Sequence, residues 1–419
     1  MVAQDIAPLT TDLHESANQG DADAQNNLGL MYRSGKGVQR DIQLAIASLL
    51  KAANQNHAEA QFNLGLIYAS GDDVRRDYPV AISWYRKAAE QGYARAQFNL
   101  GVLYGSGQGE RQDYEQALHW YRKAADQGHV GAQNNIGLMY VNGHGVEQDF
   151  RQAMAWFGKA AVRGDAAAQS NLGMLYGNGK GVPRNDQQAA TWYRKAADQS
   201  YATAQYNLAV LCEFGNGVEQ DMAEAISWYL KAAEQEHVRA QYSLGLIYEK
   251  GHGVAQDLQT AADWYRKAAE RGNMNAQFNL GLMLDQGQGM AADGVQALAW
   301  YRKAAERGHL NAQFALGLRY DCGQDVVQDH QEAFSWYLKA ANQNHARAQF
   351  NLGLMCEYGH GTAIDLAQAH RWFTLAELHG SAKAAHYKMM LETKMSAGQR
   401  QLAQDFASDY VEKNTADAA

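Results

Sequence analysis

The dipeptide Ala-Gln recurs at Ala24-Gln25, Ala60-Gln61, Ala96-Gln97, Ala132-Gln133, Ala168-Gln169, Ala204-Gln205, Ala240-Gln241, Ala276-Gln277, Ala312-Gln313 and Ala348-Gln349. The spacing is 36 residues through all ten copies, without an insertion. A unit of this size cannot bury its apolar face alone and must stack on its neighbours, so the period dictates a solenoid. At 419 residues the chain would otherwise suggest two or three globular domains. The repeat makes it one array.

Each unit is helical twice over. In AQFNLGLIYASG (60–71), Ala60, Leu64 and Ile67 fall at i, i+4 and i+7, which predicts a first helix, A, ended by Gly71. A short loop then reaches an N-cap residue: Asp41, Asp77, Asp113, Asp149, Asp221, Asp257, Asp293, Asp329 and Asp365, with Asn185 in the remaining copy. The run that follows, such as YPVAISWYRKAAEQG, predicts a second helix, B, with Trp84, Ala88 and their counterparts as its buried stripe. Lys87 and Lys123 fall near its C-terminal end, where the helix dipole favours cations. Gly65 and its counterparts sit inside helix A, at a cost of about 1 kcal/mol relative to alanine. That cost makes sense where a bulky Trp or Tyr of helix B needs the space, and the one exception, Ala209, is still small.

Both ends read as caps. Residues 1–20 form an N-terminal partial helical cap, in which ESANQGD echoes the KAANQNH of the repeats. Residues 21–380 hold the ten repeats. Residues 381–419 hold a degenerate helix A (381–392), an amphipathic terminal helix (395–413) and a frayed NTADAA tail.

Composition excludes several classes of function. A net charge of −8 argues against a general nucleic-acid surface. No apolar run approaches the ~18–20 residues of a membrane span, so no membrane insertion is expected. The N-terminus MVAQDIAPLTTDLHES lacks a basic region followed by an apolar core, which places the chain in the cytoplasm as written, and in the periplasm or outside if a leader has been trimmed. Three cysteines cannot make a disulfide framework; Cys212 and Cys356 stand at a position that is usually tyrosine and read as buried fillers.

Candidate chemistry is sparse. GLMYRSGKGV (29–38) invites comparison with a phosphate-binding loop, but its spacing is wrong and Gly37 stands where a hydroxyl is required. The Lys36 position becomes Asp72, Gln108, His144 and Lys180 in successive copies, so the stretch is a repeated turn. Ser48-Leu49-Leu50-Lys51 fits S-x-x-K, yet no K-T-G or S-D-N accompanies it, and Ser48 occupies the position that is tryptophan in the nine later copies. His57, His129, His237, His309 and His345 all lie at the B-to-A turn, and His144, His252 and His360 in the Gly-x-Gly turn. Lying a repeat or more apart, they cannot share a metal and read as solvated turn residues. The sequence calls for no catalytic residue, no metal and no cofactor.

Taken together, AQFNLGLIYASG, GVEQD and AISWYRKAAEQG closely resemble the Sel-one-like repeat (SLR) family, a relative of the tetratricopeptide repeat, over residues 20–392. The resemblance implies an all-α, right-handed α/α superhelical solenoid with helix A lining the concave side. It also implies a role in binding proteins or peptides, or in assembling signalling and envelope complexes, often in bacteria. One branch of the family pins its repeats with regularly spaced cysteines; this chain departs from that branch.

Carried over from that resemblance, the groove positions of repeat two are Glu59, Phe62, Leu66 and Ala69. The second position reads Asn26, Phe62, Phe98, Asn134, Ser170, Tyr206, Tyr242, Phe278, Phe314 and Phe350, aromatic in every copy from the sixth onward. The last reads Arg33, Ala69, Gly105, Val141, Gly177, Glu213, Glu249, Asp285, Asp321 and Glu357, acidic in every copy from the sixth onward. An acid in the last turn opposes the helix dipole by about 0.3–1 kcal/mol, so five in a row suggest a gain elsewhere. Two readings stay open for each series: a ligand-binding ladder, or ordinary packing for the rings and a solvated face for the acids. The expected function is a non-enzymatic scaffold, a monomeric array binding a basic protein or peptide segment on the concave face. The alternatives are a hydrolase of cell-wall or β-lactam substrates, or a purely structural spacer.

Overall fold

The computed structural model describes residues 6–405, with side chains from residue 11 onward; the 414–419 tail and the last part of the 395–413 segment lie outside them. The described residues form helices and no strand, in two compact units that divide between Gln220 and Asp221. The first holds α1 (Ile6–Asn18) to α12 (Ala202–Phe214) and the second α13 (Met222–Glu234) to α22 (Ala384–Glu392). The sixth repeat contributes its A helix to one unit and its B helix to the other. Within each unit every helix packs on the helix before and after it, and A helices also touch A helices, as α14 (Val238–Lys250) touches α16 (Met274–Gln286).

Capping sets the helix boundaries. In α4 (Ala58–Ser70) and α5 (Tyr78–Glu90) of repeat two, Gly71 ends A in the left-handed conformation at φ 74°, and Asp77 opens B by accepting from the Val80 N–H at 3.0 Å. All nine aspartates and Asn185 cap their B helices in this way. The second glycine of the Gly-x-Gly turn has a packing reason: a Cβ on Gly109 would come within 2.4 Å of Tyr78 Cβ on the preceding B helix. The P-loop-like stretch is thus a turn pressed against its neighbour.

The Ala-Gln pair is the joint between successive units. Ala60 is fully buried, and Gln61 donates from Nε2 to the Ala53 carbonyl of the preceding B helix at 3.0 Å. Its Oε1 accepts from Gln91, at the end of its own B helix, at 2.7 Å. One carboxamide therefore ties three helices. The pairs Gln25–Gln55, Gln97–Gln127, Gln169–Gln199 and Gln313–Gln343 repeat the second bond at 2.8 Å. At the N-terminal end Gln25 donates to Ala17 of α1 at 2.9 Å, so α1 stands where a B helix would. At the other end His379 Nδ1 pairs with Gln349 Oε1 at 2.9 Å.

The buried stripe of helix B differs from the expected one. Tyr85, Tyr229, Tyr265, Tyr301 and Tyr337 are among the largest fully buried side chains, whereas Trp84 and most of its counterparts are only half-buried. Adjacent helix positions lie about 100° apart, so the tyrosine enters the core while the tryptophan lies at its edge under the Lys87 ammonium, 4.1 Å from the ring centroid. The glycine of helix A makes room for the tyrosine alone: a Cβ on Gly65 would lie 2.5 Å from Tyr85 Cδ1.

Two outcomes follow from the joint. Deleting residues 97–132 places Ala96 against Gln133 and recreates it, so circular dichroism is expected to show nearly unchanged helicity per residue, whereas loss of most of the signal would contradict the array. Three joints are incomplete, because Gln133, Gln241 and Gln277 have buried Oε1 atoms without a partner and Arg163, Arg271 and Arg307 stand in place of the donor glutamine. Arg163→Gln is expected to stabilise the protein by about 0.5–1.5 kcal/mol, read as a higher urea midpoint; an unchanged or lower midpoint would show that Gln133 gains nothing from a protein donor.

Candidate functional site

The aromatic positions lie in the middle of the A helices. In the second unit Tyr242, Phe278, Phe314 and Phe350 are each half-buried. Each ring packs inward on the buried aromatic residue of its own B helix: Tyr242 on Tyr265 at 5.8 Å, Phe278 on Tyr301 at 5.7 Å, Phe314 on Tyr337 at 5.8 Å and Phe350 on Phe373 at 5.5 Å. A second group flanks each of the last three from the next unit: His309 stacks on Phe278 at 4.5 Å, His345 on Phe314 at 4.6 Å, and Tyr387 meets Phe350 edge-on at 5.0 Å. The Arg347 guanidinium lies 4.8 Å from the Phe314 ring centroid. Each ring is thus packed on its own B helix and only partly exposed. In the first unit Tyr206 is likewise half-buried, Phe98 repeats the pattern on Tyr121 and His129, and Phe62 is almost fully buried.

The polar rungs also have a rationale. Asn26 and Asn134 accept from Asn63 and Asn171 of the next A helix at 2.9 and 3.0 Å. These are the two repeats of the first unit whose B helix carries Leu49 or Phe157 in place of the buried tyrosine. Beside four of the tyrosines the same asparagine lies near the hydroxyl and opposes the rise in its pKa: Asn99 at Tyr85, Asn135 at Tyr121, Asn279 at Tyr265 and Asn351 at Tyr337.

The acids of the second unit have partners inside the fold. Glu249 accepts from the Tyr265 hydroxyl. Asp285 lies 3.4 Å from the Tyr301 hydroxyl and pairs with Arg319. Asp321 lies 3.4 Å from the Tyr337 hydroxyl and pairs with His330 at 3.0 Å. Glu357, opposite Phe373 with no hydroxyl, pairs with Lys394 at 2.7 Å. Burial, reinforced by these carboxylates, pushes the hydroxyls of Tyr265, Tyr301 and Tyr337 far above the usual tyrosine range. A buried hydroxyl given a charged acceptor is a gain that offsets the unfavourable dipole contact. Glu213, Glu249, Asp285 and Asp321 remain half-exposed, whereas Glu357 is buried.

Arg319 was not singled out by the sequence. It occupies a core position of helix A, filled by Ile67, Met139 and Ile247 in other repeats, and its side chain is 5% exposed. Asp285 and Asp325 flank it. Asp325 and Asp73 replace the second turn glycine, and Asp73 is likewise held by Arg33 at 2.8 Å. A charged residue at a periodic apolar position, with an aspartate in a glycine turn, was the available signal.

The B-to-A turn histidines are not the solvated residues the sequence suggested. His57, His129, His237, His309 and His345 are N-caps: each Nδ1 accepts the backbone N–H three residues on, at 3.1–3.3 Å. Asp165 and Asn273 do the same in their repeats. An imidazole can accept at Nδ1 only while neutral. Burial lowers the affinity of His129, His237, His309 and His345 for a proton, with Arg95, Arg239 and Arg347 adding to it at His129, His237 and His345. These caps therefore contribute stability that is present above the unfolded histidine value of about 6.5 and lost as the pH falls below it. Urea midpoints are expected to drop between neutral and mildly acidic pH. His309→Asn, which keeps a cap acceptor, is expected to shallow that dependence; an unaltered slope would refute the role.

Of the remaining candidates, Cys212 and Cys356 are buried as expected, and burial pushes the Cys356 thiol up to about 11. Cys322 is exposed. Ser48 and Lys51 lie on α3 (Ile42–Asn54), Ser48 half-buried and Lys51 exposed. His144 stacks on Tyr114 at 4.2 Å and His360 on His330 at 4.9 Å. Among the described residues no group of three or more His, Cys, Asp or Glu side chains is placed to hold a metal, and no helix is long and apolar enough to cross a membrane.

Stacked helix pairs, glutamine joints and a repeated side-chain pattern on the A helices define a helical-repeat protein. The sequence model of the Sel1 repeat matches ten consecutive stretches, 22–57, 58–93, 94–129, 130–165, 166–201, 202–237, 238–273, 275–309, 310–345 and 346–381. The chain belongs to the Sel1 repeat family. Among solved structures it is similar to c5321, a protective antigen present in uropathogenic Escherichia coli strains and displaying an SLR fold: 35% identity, 96% of this chain and 94% of that chain covered, TM-score 0.62. It is also similar to a Sel1 repeat protein from Oxalobacter formigenes: 36% identity, 74% of this chain and 91% of that one covered, TM-score 0.62. Both neighbours fit a bacterial origin. No curated protein matches the chain.

Proposed function

We propose that the protein is a non-enzymatic scaffold that binds a basic peptide or protein segment along the A-helix face, as a monomeric array serving a bacterial signalling, envelope or host-interaction complex. The observation that carries this reading is a pairing repeated in the second unit. Tyr242 with Glu249, Phe278 with Asp285, and Phe314 with Asp321 set a half-exposed ring and a half-exposed carboxylate on one helix, seven residues apart. Phe350 with the buried Glu357 continues the series, and Tyr206 with Glu213 holds the same positions at the end of the first unit. Seven residues are about two helical turns, so ring and acid share a face. The tyrosine hydroxyls hold the carboxylates in fixed positions, which lowers the entropy lost when a cation arrives. A cationic segment with apolar side chains matches such a surface: the rings supply contact area and the carboxylates select sign.

Partners captured from an extract of the native organism and identified by mass spectrometry give the ligand for the test. Glu249→Gln, Asp285→Asn and Asp321→Asn together keep an acceptor for each tyrosine while removing charge. This variant is expected to slow association and flatten its salt dependence, and Phe278→Ala to speed dissociation by about tenfold or more. A partner whose rates neither variant changes binds elsewhere.

A further inference from the structure

The incomplete joint at Gln277 lies beside a groove, with its unpaired oxygen covered. Gln277 is 3% exposed, and its Nε2 is committed to the Ala269 carbonyl at 3.0 Å, which fixes the orientation of the amide and leaves Oε1 without a donor. A groove of ≈ 550 Å³ is lined by Gln277 together with Gly272, Trp300, Lys303, Glu306 and Arg307, among others. In five joints the donor is the chain's own glutamine, thirty residues on, and at the C-terminal end the partner there is His379; here that position is Arg307. Arg307 is exposed and its guanidinium lies over Gly272, where a Cβ would come within 3.0 Å of its central carbon.

A buried acceptor left unpaired costs about as much as a lost hydrogen bond, and the repeats themselves show which group fits it. In five repeats the atom seated on this oxygen is a carboxamide nitrogen at 2.7–2.8 Å. The groove's charges balance, with Lys303 and Arg307 against Glu306 and Glu270, so the lining favours a neutral polar group over an ion. The edge of Trp300, whose face carries the Lys303 ammonium at 4.0 Å, provides an apolar wall for the methylenes of such a group.

We infer that this groove is a recognition site for the carboxamide side chain of a partner protein's glutamine, which takes the position that the chain's own glutamine holds in the intact joints. The site lies at the B-to-A turns, apart from the aromatic and acidic positions of the A-helix face, and stands or falls independently of them. Arg307 withholds the chain's own donor and lines the groove, and its exposed side chain is what the incoming carboxamide displaces to reach the covered Oε1; Gln241 with Arg271 has the same unpaired acceptor one repeat earlier.

The test uses the full chain and two short peptides, acetyl-Gly-Gln-Gly-amide and its glutamate counterpart. Side-chain amide and indole resonances of Gln277 and Trp300 are followed by NMR. The glutamine peptide is expected to shift both saturably, with the glutamate peptide at least about tenfold weaker. Arg307→Gln supplies the chain's own carboxamide and is expected to abolish those shifts while raising the melting temperature, so loss of binding is not loss of fold. No saturable shift up to the solubility limit of the peptide, which would mean that Oε1 stays covered, overturns the inference. So do equal affinities for the two peptides, or undiminished binding by Arg307→Gln.

Discussion

The buried glutamine carboxamide is the constraint on which the array depends. A helix-turn-helix unit offers its neighbour mostly small side chains: Ala52 and Ala53 of one B helix and Ala60 of the next A helix are all nearly fully buried. Alanine packing brings backbones close but does little to select among registers. Gln61 adds direction, because its donor must meet the Ala53 carbonyl and its acceptor must meet Gln91. Each neutral bond contributes only about 0.5–1.5 kcal/mol, but a slipped register would leave both ends buried and unpaired, at about 1–3 kcal/mol apiece. The joint therefore works more through what it forbids than through what it adds. That explains a 36-residue period kept without one insertion.

A second polar system runs through the tyrosine layer. Removing Cβ at Gly65 lets the Tyr85 ring enter between helices A and B, and this buries a hydroxyl that must then be satisfied. In the first unit an asparagine of the next A helix lies near the hydroxyl, at Tyr85 and Tyr121. The second unit adds the carboxylates at Glu249, Asp285 and Asp321. Repeats without the tyrosine drop the demand, and there the asparagines pair with each other, as Asn63 with Asn26. Neighbouring positions thus change together, and the changes follow one hydroxyl.

Much of this was legible in the sequence, for definite reasons. Helix boundaries were, because Asp77 and Gly71 act through bonds spanning only a few residues. So was the buried stripe of helix A, since Ala60, Leu64 and Ile67 show the helical period. What failed to show was anything decided between units. Trp84 and Tyr85 are adjacent bulky residues of helix B, and only the packing of that helix against Gly65 decides that Tyr85, not Trp84, enters the core. The turn histidines looked solvated because imidazole is not among the usual N-cap side chains and the ring that covers His309 comes from the preceding repeat. The acids of the candidate site could be counted along one face, but their hydroxyl partners sixteen residues away could not be inferred from spacing alone.

Departures from the repeat carry the individuality of this chain. A consensus unit is satisfied by its neighbours and has nothing left to offer a partner. Where the rule is broken, the groups freed are those with unspent valence. Arginine at the joint frees the oxygen of Gln277; aspartate in the glycine turn frees a charge, and Arg319 enters the core to meet it. These two departures resolve differently. In the Asp325–Arg319–Asp285 cluster the buried arginine is met by two carboxylates, so the cation is satisfied from within while one net negative charge stays with the A-helix face. The Gln277 oxygen does not close, although an arginine rich in donors stands thirty residues away and lies over Gly272 instead. In a fold built from self-completing joints, a buried acceptor that its own chain leaves unmet is the stronger mark of an external ligand.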